Sequence, residues 1–532
     1  MTKLTRRGFN KLVGGTLLAE AMFSAWPSMA HAADSDSLAA MSLTEASAKI
    51  HSKQVTSTEL TKALLERINV YNPKVNALVT VMGKDALAQA AALDEEAKAG
   101  KFRSPLHGIP IALKDNIDTA GTRTTAASPM FKDRVPTEDA DIVRRLKAAG
   151  AVIIAKANLH EFALGCTGDI SYFGPARNPW SLEHVTGGSS SGSAAALSSM
   201  LCFGALGTDT GGSIRVPSSW CGTVGLKPTT GLVSIRGIIP CTASLDHCGP
   251  MARTVEDVAL MLTQMAGYDN LDIFSVPSTP KDYVKEMKQP VTSFRLGLPA
   301  SFYDHVDPEV EKAINAAIEV LTKLTAGVTS HAPLPELSSG GGGALGDSDF
   351  YHRDLIRQYG LNYMPPTRTR FERMMNPAPG AAVSTAADSA QAHQRLALLR
   401  REVDAAFKDF DVVIVPTIRN LPPTINASLA QETAGAGRST KVYDWFDASG
   451  CTNTSPFDQY GVPAISIPCG FSSSGMPIGL MIAAPHFEEG KVLALAYAFQ
   501  QATDWHTKRP PLTPSTAVPA LVEGKPQAES KS

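Results

Sequence analysis

The segment that decides the fold of this chain reads TGGSSSGS over residues 186–193 and GTDTGGSIR over residues 207–215. It contains the motif Gly-Gly-Ser twice, and the two serines, Ser189 and Ser213, lie 24 residues apart. Glycine allows backbone conformations that other residues avoid, and it lets a substrate approach the main chain closely. Backbone N–H groups aimed into such a loop stabilise a developing oxyanion. Each serine therefore follows two glycines whose backbone could bind the oxygen of the carbonyl group that the serine would attack.

Three kinds of segment share this composition: a flexible linker, a phosphate-binding loop and the site of a serine hydrolase. Alanine-rich helical sequence follows the first copy at residues 194–196, which argues against a linker. The segment contains neither Gly-Lys-Ser/Thr nor GxGxxG, which argues against phosphate binding. We therefore favour serine hydrolase chemistry.

The sequence offers two nucleophiles for that chemistry. Residues 188–192 match G-x-S-x-G, the nucleophile elbow of α/β-hydrolases, and this would make Ser190 the nucleophile with a downstream Asp and His. The motif matches easily in any run of Gly and Ser, and it leaves the second Gly-Gly-Ser unexplained. Ser213 is the preferred nucleophile, and an esterase that uses Ser190 stays open as an alternative.

A serine hydroxyl needs a base. Where no histidine triad is present, a buried lysine can serve, because burial lowers its pKa and leaves the amine neutral. Lys114 ends the apolar run GIPIALK at residues 108–114 and is followed by Asp115 and Asn116. A lysine at the mouth of a buried strand suits this role, although a lysine there is more often a surface residue.

The remaining pattern predicts an α/β domain. Short apolar runs predict buried strands at residues 109–113, 151–155, 411–415 and 464–467. A helix is predicted over residues 141–149, ending at Gly150 just before the second strand. Strands that alternate with helices favour a mixed or mostly parallel sheet.

These motifs together resemble the amidase signature family. The resemblance is carried by residues 108–116, 187–193 and 209–215, and it extends to residues 178–180, 222–229, 461–468, 475–479 and 505–510. It covers roughly residues 42–512. It implies the amidase signature fold, a large mixed β-sheet core covered by helices on both faces.

The resemblance also implies roles for individual residues. Ser213 matches the nucleophile, Lys114 the base, and Ser189 the serine that bridges them, following a cis peptide bond at Gly188. The backbone N–H groups of the Gly-Gly-Ser turn match the oxyanion hole, namely those of Thr210, Gly211, Gly212 and Ser213.

Supporting positions are implied as well. Ser190, Asp209 and Arg215 match residues that hold the loops by hydrogen bonds and charge, although a purely structural role fits them equally. The implied relay needs no metal and no organic cofactor, and His160-Glu161 lacks the second histidine of a zinc-binding HExxH motif.

The ends of the chain differ from this domain. Residues 1–32 place Arg6 and Arg7 before a short apolar stretch and end in Ala-His-Ala, which predicts a twin-arginine export signal and a periplasmic or secreted protein. Four further divisions are predicted: an N-terminal helical segment at 33–100 that packs on the core, the amidase domain at 101–512, a variable substrate-shaping region within it at 268–450, and a disordered tail at 513–532.

Composition limits the partners. The net charge is −2 with no long charged run, so neither nucleic acid nor an anionic membrane surface is indicated, and no segment is long and apolar enough for a stable membrane span.

The seven cysteines show no zinc spacing. We expect most of them to be buried apolar residues, and a Cys241–Cys248 disulfide stays open.

The leading hypothesis is an exported amidase that hydrolyses a small carboxylic amide through a Ser213 acyl-enzyme, with a small-molecule amide as its partner. The alternative within the family is the glutamine-hydrolysing subunit of a tRNA-dependent amidotransferase, against which the export signal argues. An inactive binding protein with the same fold is disfavoured, because all three reacting residues are present. The oligomeric state is left open, with a homodimer as one arrangement.

Overall fold

The structure is a computed structural model that describes residues 36–279, 281–331, 333–337, 345–377, 385–433 and 451–521. The predicted export signal lies outside the described residues. Within the described chain, eleven strands form one sheet in the order β1-β3-β2-β6-β8-β7-β12-β13-β11-β9-β10, and β4 and β5 form a separate hairpin. The strands are β1 Leu78–Val81, β2 Pro110–Lys114, β3 Val152–Ala157, β4 Arg177–Asn178, β5 Ser181–Val185, β6 Gly204–Asp209, β7 Val224–Lys227, β8 His247–Ala252, β9 Leu296–Gly297, β10 Val328–Ser330, β11 Val412–Pro416, β12 Ala464–Phe471 and β13 Pro477–Ala483.

Helices cover this sheet. The α-helices are α1 Leu43–His51, α2 Ser57–Val75, α3 Gly83–Lys98, α4 Asp141–Ala148, α5 Ser191–Ser198, α6 Arg215–Cys221, α7 Val255–Met265, α8 Tyr283–Glu286, α9 Pro308–Leu324, α10 Asp347–Tyr359, α11 Pro365–Met375, α12 Ala386–Ala406, α13 Ile425–Thr433, α14 Ser455–Tyr460 and α15 Glu489–Ala502. Short 3-10 turns lie at Pro129–Phe131, Glu161–Ala163, Ala300–Phe302, Phe407–Asp409 and Trp505–Thr507. All residues of β2, β3, β11 and β13 are buried. Since successive side chains point to opposite faces of a sheet, both faces are covered, as predicted.

The strand pairing explains where polar side chains gather. β2 lies between β3 and β6 and runs parallel to both. Parallel strands present their carboxyl ends at one edge of the sheet, which is where α/β folds place ligands. Lys114 ends β2 and Asp209 ends β6, so the fold brings them to the same edge.

The N-terminal segment agrees with the prediction except for one element. Ser42 with Glu45 and Thr56 with Glu59 form complete capping boxes at the starts of α1 and α2. The segment predicted as helical at 33–100 also contains β1, which pairs antiparallel with β3 at the edge of the main sheet. A strand of four residues, buried only at its first position, is too short to stand out from the helical pattern around it.

Two further boundaries differ from the sequence prediction. The region 268–450, predicted to shape the substrate pocket, also supplies β9, β10 and β11 to the sheet. The tail prediction does not hold for residues 513–521, which the structure describes: Lys74 Nζ donates to the Thr516 carbonyl over 2.7 Å. Residues 522–532 lie outside the described chain.

The cysteines agree with the prediction only in part. Cys202, Cys221, Cys248 and Cys469 are free and buried, and Cys241 is free and half-buried, so the Cys241–Cys248 bridge does not form. The sequence analysis missed a disulfide between Cys166 and Cys451, which are 285 residues apart. Such a distant pair carries no spacing signal.

None of the helices that the structure describes combines the length and the apolar character needed to cross a bilayer.

Candidate active site

Lys114 is the last residue of β2, and its side chain is fully buried. Its Nζ donates to Ser189 Oγ over 2.7 Å and to Thr208 Oγ1 over 2.7 Å. Burial lowers the pKa of Lys114 to about 7, because the ammonium loses its hydration, and nearby acidic groups oppose this only in part. A large fraction of Lys114 is therefore neutral near neutral pH and able to accept a proton.

Thr208 is a partner of Lys114 that the sequence analysis missed. It lies on β6 beside β2, and its Oγ1 also accepts from Asn116 Nδ2 over 3.3 Å. The Thr208 carbonyl lies 3.4 Å from Lys114 Nζ, so the lysine faces three oxygens. Ninety-four residues separate the two positions, and only the pairing of β2 with β6 could have revealed the contact.

The two serine loops meet behind the reacting groups. The Gly188–Ser189 peptide is cis, as the resemblance implies. Ser190 N donates to the Ser213 carbonyl over 3.2 Å. The Ser190 hydroxyl is buried and lies 3.2 Å from both the main-chain N and the main-chain O of Thr208. Ser190 thus links its own loop to the backbone at Thr208 and at Ser213.

This geometry argues against Ser190 as a nucleophile. Its hydroxyl is engaged by the main chain, and no histidine in the described part of the chain hydrogen-bonds to it. The alternative of an α/β-hydrolase elbow is therefore wrong, because the hydroxyl has neither exposure nor a base.

Ser213 lies at the entry to α6 and is 4% exposed. Within the described residues, no hydrogen bond joins the hydroxyls of Ser189 and Ser213. Catalytic hydrogen bonds often tighten only when substrate binds. The structure thus brings Lys114 and Ser189 into direct contact and holds Ser213 on the adjoining loop.

The predicted oxyanion hole needs one correction. Gly212 N donates to Asp209 Oδ1 over 2.6 Å, so this amide is engaged and the prediction of Gly212 as an oxyanion donor is wrong. The buried carboxylate of Asp209 requires donors, and it takes a second from Ile214 N over 3.1 Å. Among the described residues, no acceptor is recorded for the backbone N–H groups of Thr210, Gly211 and Ser213. Those three amides are available to a substrate.

Glycine is required at position 212 for a different reason. Its φ of 132° lies in the region that L residues with side chains rarely adopt. A Cβ there would lie 2.1 Å from Thr454 Oγ1. Because the two segments lie so close together, the Thr454 hydroxyl donates a hydrogen bond to the Gly211 carbonyl over 2.6 Å. The turn therefore packs directly on the backbone that precedes α14.

Asp209 and Arg215 form a fully buried pair that supports the turn, with Arg215 Nη2 2.9 Å from Asp209 Oδ1. Burial alone would raise the pKa of Asp209, but the guanidinium holds it well below its usual range. Arg215 also pairs with Asp458 over 2.7 Å and donates to the Thr454 carbonyl over 2.8 Å. The supporting positions predicted from sequence thus meet, and Asp458 on α14, which the sequence analysis missed, joins them.

A buried cluster rich in aromatic residues, called here the aromatic wall, packs beside the segment that follows Lys114. It contains Ala126, Met130, Phe131, Phe162, Ile239, Leu355, Tyr363 and Phe371. Ile239 N donates to the Asn116 carbonyl over 2.8 Å, so the wall begins next to the catalytic strand. Helices α10 and α11 contribute Leu355 and Phe371 to it.

Glu161 anchors this wall. Its fully buried carboxylate accepts from the Met364 amide at 3.1 Å to both oxygens and from Ser128 Oγ at 2.6 Å. Met364 immediately precedes α11, so the carboxylate lies at the positive end of the helix and accepts the amide of its N-cap residue. The residue next to it, His160, donates its backbone N–H to the Ser189 carbonyl over 3.1 Å. The wall and the bridging serine therefore share one backbone segment.

His247 lies beside the nucleophile loop, and both of its ring nitrogens contact polar groups that are not part of the relay. His247 Nδ1 lies 3.1 Å from the Asp209 carbonyl, and its Nε2 lies 2.8 Å from Thr230 Oγ1. Burial lowers the pKa of His247 well below its usual value. The described residues hold no group of three or more His, Cys, Asp or Glu side chains arranged to bind a metal ion.

The chain is similar to known proteins over most of its length. A family model described as Amidase matches residues 59–493. The chain is 39% identical over 482 residues to the glutamyl-tRNA(Gln) amidotransferase A subunit of Geobacter metallireducens, covering 87% of this chain and 97% of the relative. A peptide amidase structure from Stenotrophomonas maltophilia is similar with a TM-score of 0.72 and 30% identity, covering 89% of this chain and 98% of that one. A 6-aminohexanoate cyclic dimer hydrolase is similar with a TM-score of 0.77 and 26% identity, covering 89% and 99%.

Proposed function

Since the chain belongs to the amidase family, we propose that it cleaves a carboxylic amide to an acid and an amine or ammonia, with Ser213 as the nucleophile, Ser189 as the bridge and Lys114 as the base. The observation that carries this proposal is the 2.7 Å contact between Lys114 Nζ and Ser189 Oγ in a fully buried setting. A lysine with a pKa of about 7 is suited to both proton acceptance and proton return near neutral pH.

The proton path follows from this contact. Neutral Lys114 takes the Ser189 hydroxyl proton as Ser189 takes the proton of Ser213. The Ser213 oxygen then attacks the amide carbon, and the N–H groups of Thr210, Gly211 and Ser213 hold the oxyanion.

The same path serves the leaving group. Lys114 in its ammonium form returns a proton through Ser189 to the amide nitrogen, so that the C–N bond breaks with a neutral amine leaving. Water then attacks the acyl ester, releases the acid and restores the Ser213 hydroxyl.

Covalent labelling tests the assignment of the nucleophile. A fluorophosphonate probe should modify wild-type protein at Ser213, as read by peptide mass mapping, and should not modify Ser213→Ala. The matched control is Ser190→Ala, which we expect to label at Ser213 at a reduced rate. Modification of Ser190 in the Ser213→Ala protein would contradict the assignment.

The acyl donor is a separate question with two candidates. The likeness to the peptide amidase favours a small or peptidic amide. The chain is also similar to the amidotransferase A subunit, at 39% identity over 97% of that protein. On this likeness we propose glutamine as the second candidate acyl donor. For this reason glutamine hydrolysis is retained as the second candidate function.

Ammonia release distinguishes these candidates. Purified protein would be supplied with L-glutamine and, separately, with a simple primary amide, an anilide and a peptide amide, with Ser213→Ala as the blank. A small-amide hydrolase should turn over the simple substrates with higher kcat/KM than glutamine. A marked preference for glutamine would support the amidotransferase-like function instead.

We further propose that the protein acts after export. The order of Arg6-Arg7, apolar stretch and Ala30-His31-Ala32 supports this. The Cys166–Cys451 disulfide adds support, because disulfides persist in oxidising compartments and are rare in the cytosol.

A further inference from the structure

We propose that the Cys166–Cys451 disulfide positions the two serine loops for catalysis, so that the rate of amide hydrolysis depends on whether this pair is oxidised. The inference rests on the proposed function, because it concerns the loops that carry Ser189 and Ser213. It goes beyond that function by making the disulfide a condition for the full rate.

The Cys166 end contacts the loop of the bridging serine. The Cys166 carbonyl accepts the N–H of Gly188, the residue before Ser189, over 2.7 Å. The neighbouring Gly168 packs so closely that a Cβ on it would lie 2.6 Å from the Gly187 carbonyl and 2.5 Å from the Ser191 Cβ. A shift of the Cys166 segment would therefore be transmitted directly to Ser189.

The Cys451 end contacts the nucleophile turn. The Cys451 carbonyl accepts the N–H groups of Thr454 over 3.2 Å and Ser455 over 2.9 Å, which fixes the turn that leads into α14. The Thr454 hydroxyl in turn donates a hydrogen bond to the Gly211 carbonyl, and the Thr454 carbonyl accepts one from the Arg215 guanidinium. The disulfide is thus one hydrogen bond away from the residue before Ser189, and two hydrogen bonds away from Gly211, which lies two residues before Ser213.

The packing around the sulfurs reinforces this link. Cys166 and Cys451 belong to one buried cluster with Val185, Val216, Trp220, Ile418 and Ile425. Val185 lies just before the first serine loop, and Val216 lies just after the second. The main chain at 194–206 joins the two loops, and the disulfide adds a second covalent link between the segments that contact them, across a sequence separation of 285. Without the disulfide, the segments at Cys166 and Cys451 are held together by non-covalent contacts alone.

Formation of the bond requires a disulfide oxidant. The two thiols lose two protons and two electrons to a protein or small-molecule disulfide, which becomes two thiols while the Cys166–Cys451 bond forms. Oxidising compartments supply such partners. A chain still in a reducing cytosol would then hydrolyse amides slowly and gain its full rate once the bond forms.

The first measurement compares oxidised and reduced wild-type protein. Dithiothreitol reduces the bond to two thiols as it forms its own cyclic disulfide, and alkylation after quenching and denaturation should count seven thiols instead of five. We expect reduction to lower kcat roughly 10- to 100-fold with little change in KM, because small displacements of reacting groups cost rates of that size. Reoxidation should restore the rate.

Variants make the test independent of the reductant. Cys166→Ser/Cys451→Ser should show the low kcat of the reduced protein and no further response to dithiothreitol. Cys202→Ala/Cys469→Ala, which removes two buried free thiols, should keep the wild-type kcat and its loss on reduction. Circular dichroism and the melting temperature separate positioning from global stability, because a merely structural bond would lower the Tm and leave kcat at 25 °C unchanged.

The outcomes are distinct. A low kcat in both the reduced protein and the serine double variant, at temperatures where each is folded, supports the proposal. Equal kcat in the oxidised and reduced states overturns it while the proposed function stands. Absence of both turnover and Ser213 labelling in every state overturns the proposed function and this inference with it.

Discussion

At the scale of single residues, Lys114 shows how burial sets the chemistry. An ammonium group that is completely removed from water is disfavoured, and nearby acidic groups such as Asp209 and Asp246 compensate the lost hydration only in part, alongside the oxygens of Ser189 and Thr208. The balance leaves its pKa at about 7 rather than near 10.5. The same lysine on the surface would be protonated at neutral pH and useless as a base.

The first prediction concerns pH. Because Lys114 must be neutral to accept the proton, kcat/KM should fall as pH decreases through about 7 and level off above it. The profile should be measured with an amide substrate that does not titrate between pH 5 and 9. A flat profile across that range would contradict Lys114 as the base.

The second prediction concerns Thr208. Replacement Thr208→Val removes an acceptor that favours the ammonium form, so the pKa of Lys114 should fall further and the acid limb should move to lower pH. A hydrogen bond to a charged group contributes about 1.5 kcal/mol or more, which corresponds to a shift of roughly one pH unit. Thr208→Ser keeps the hydroxyl and should keep the wild-type midpoint. An unchanged or higher midpoint in Thr208→Val would refute the role of this contact.

The repeated Gly-Gly-Ser motif indicates Ser189 and Ser213 as the proposed reacting serines, whereas Lys114 is indicated as their base chiefly through the family resemblance. The sequence could not identify Thr208 or Asp458, since their contacts join elements that are 94 and 243 residues apart. It also assigned Gly212 to the oxyanion hole, whereas the Asp209 carboxylate takes that amide. A motif shows which residues are present. Which side chain accepts a given backbone N–H depends on the conformation of the folded turn.

At the scale of elements, local signals predicted the helix over 141–149 and four strands, which form as α4, β2, β3, β11 and β12. They missed the buried strands β6, β7, β8 and β13, in which glycine, proline or polar residues interrupt the apolar run. The short strands β1, β9 and β10 also escaped prediction, because two to four residues are too few to show a periodicity. The order of the sheet depends on pairings between strands distant in sequence, such as β7 with β12, and periodicity does not encode it.

The third prediction concerns the link between Glu161 and α11. Glu161→Ala removes the acceptor of the Met364 amide and of the Ser128 hydroxyl, both at a buried site. We expect destabilisation of about 2–3 kcal/mol, because buried donors left unpaired each cost about 1–3 kcal/mol. Limited proteolysis should then cut within residues 345–377 faster, and KM should rise as the wall loosens.

The control for this prediction is Glu372→Gln, a change on the exposed face of α11. It should leave the melting temperature, the proteolysis rate and KM near wild-type values. If Glu161→Ala behaves like this control, the carboxylate does not anchor the wall.

At the scale of the whole molecule, the fourth prediction concerns export. In a host with twin-arginine transport, intact mass of the periplasmic protein should correspond to a chain that begins at Ala33. Arg6→Lys/Arg7→Lys should keep the protein in the cytosol, whereas Lys3→Gln should not. Full-length protein found only in the cytosol of the wild-type strain would contradict export.

The central claim is that Lys114 acts through Ser189 as one relay, and a double-mutant cycle tests it most directly. The kcat/KM values of Lys114→Ala, Ser189→Ala and the double variant would be measured against wild type, with folding checked by circular dichroism. Each single change should cost roughly 10²- to 10⁴-fold, and the double variant should lie within about threefold of the worse single, because residues that act as a unit are not additive. A double variant whose loss equals the product of the two single losses would show that Lys114 and Ser189 act independently, and the relay would be wrong.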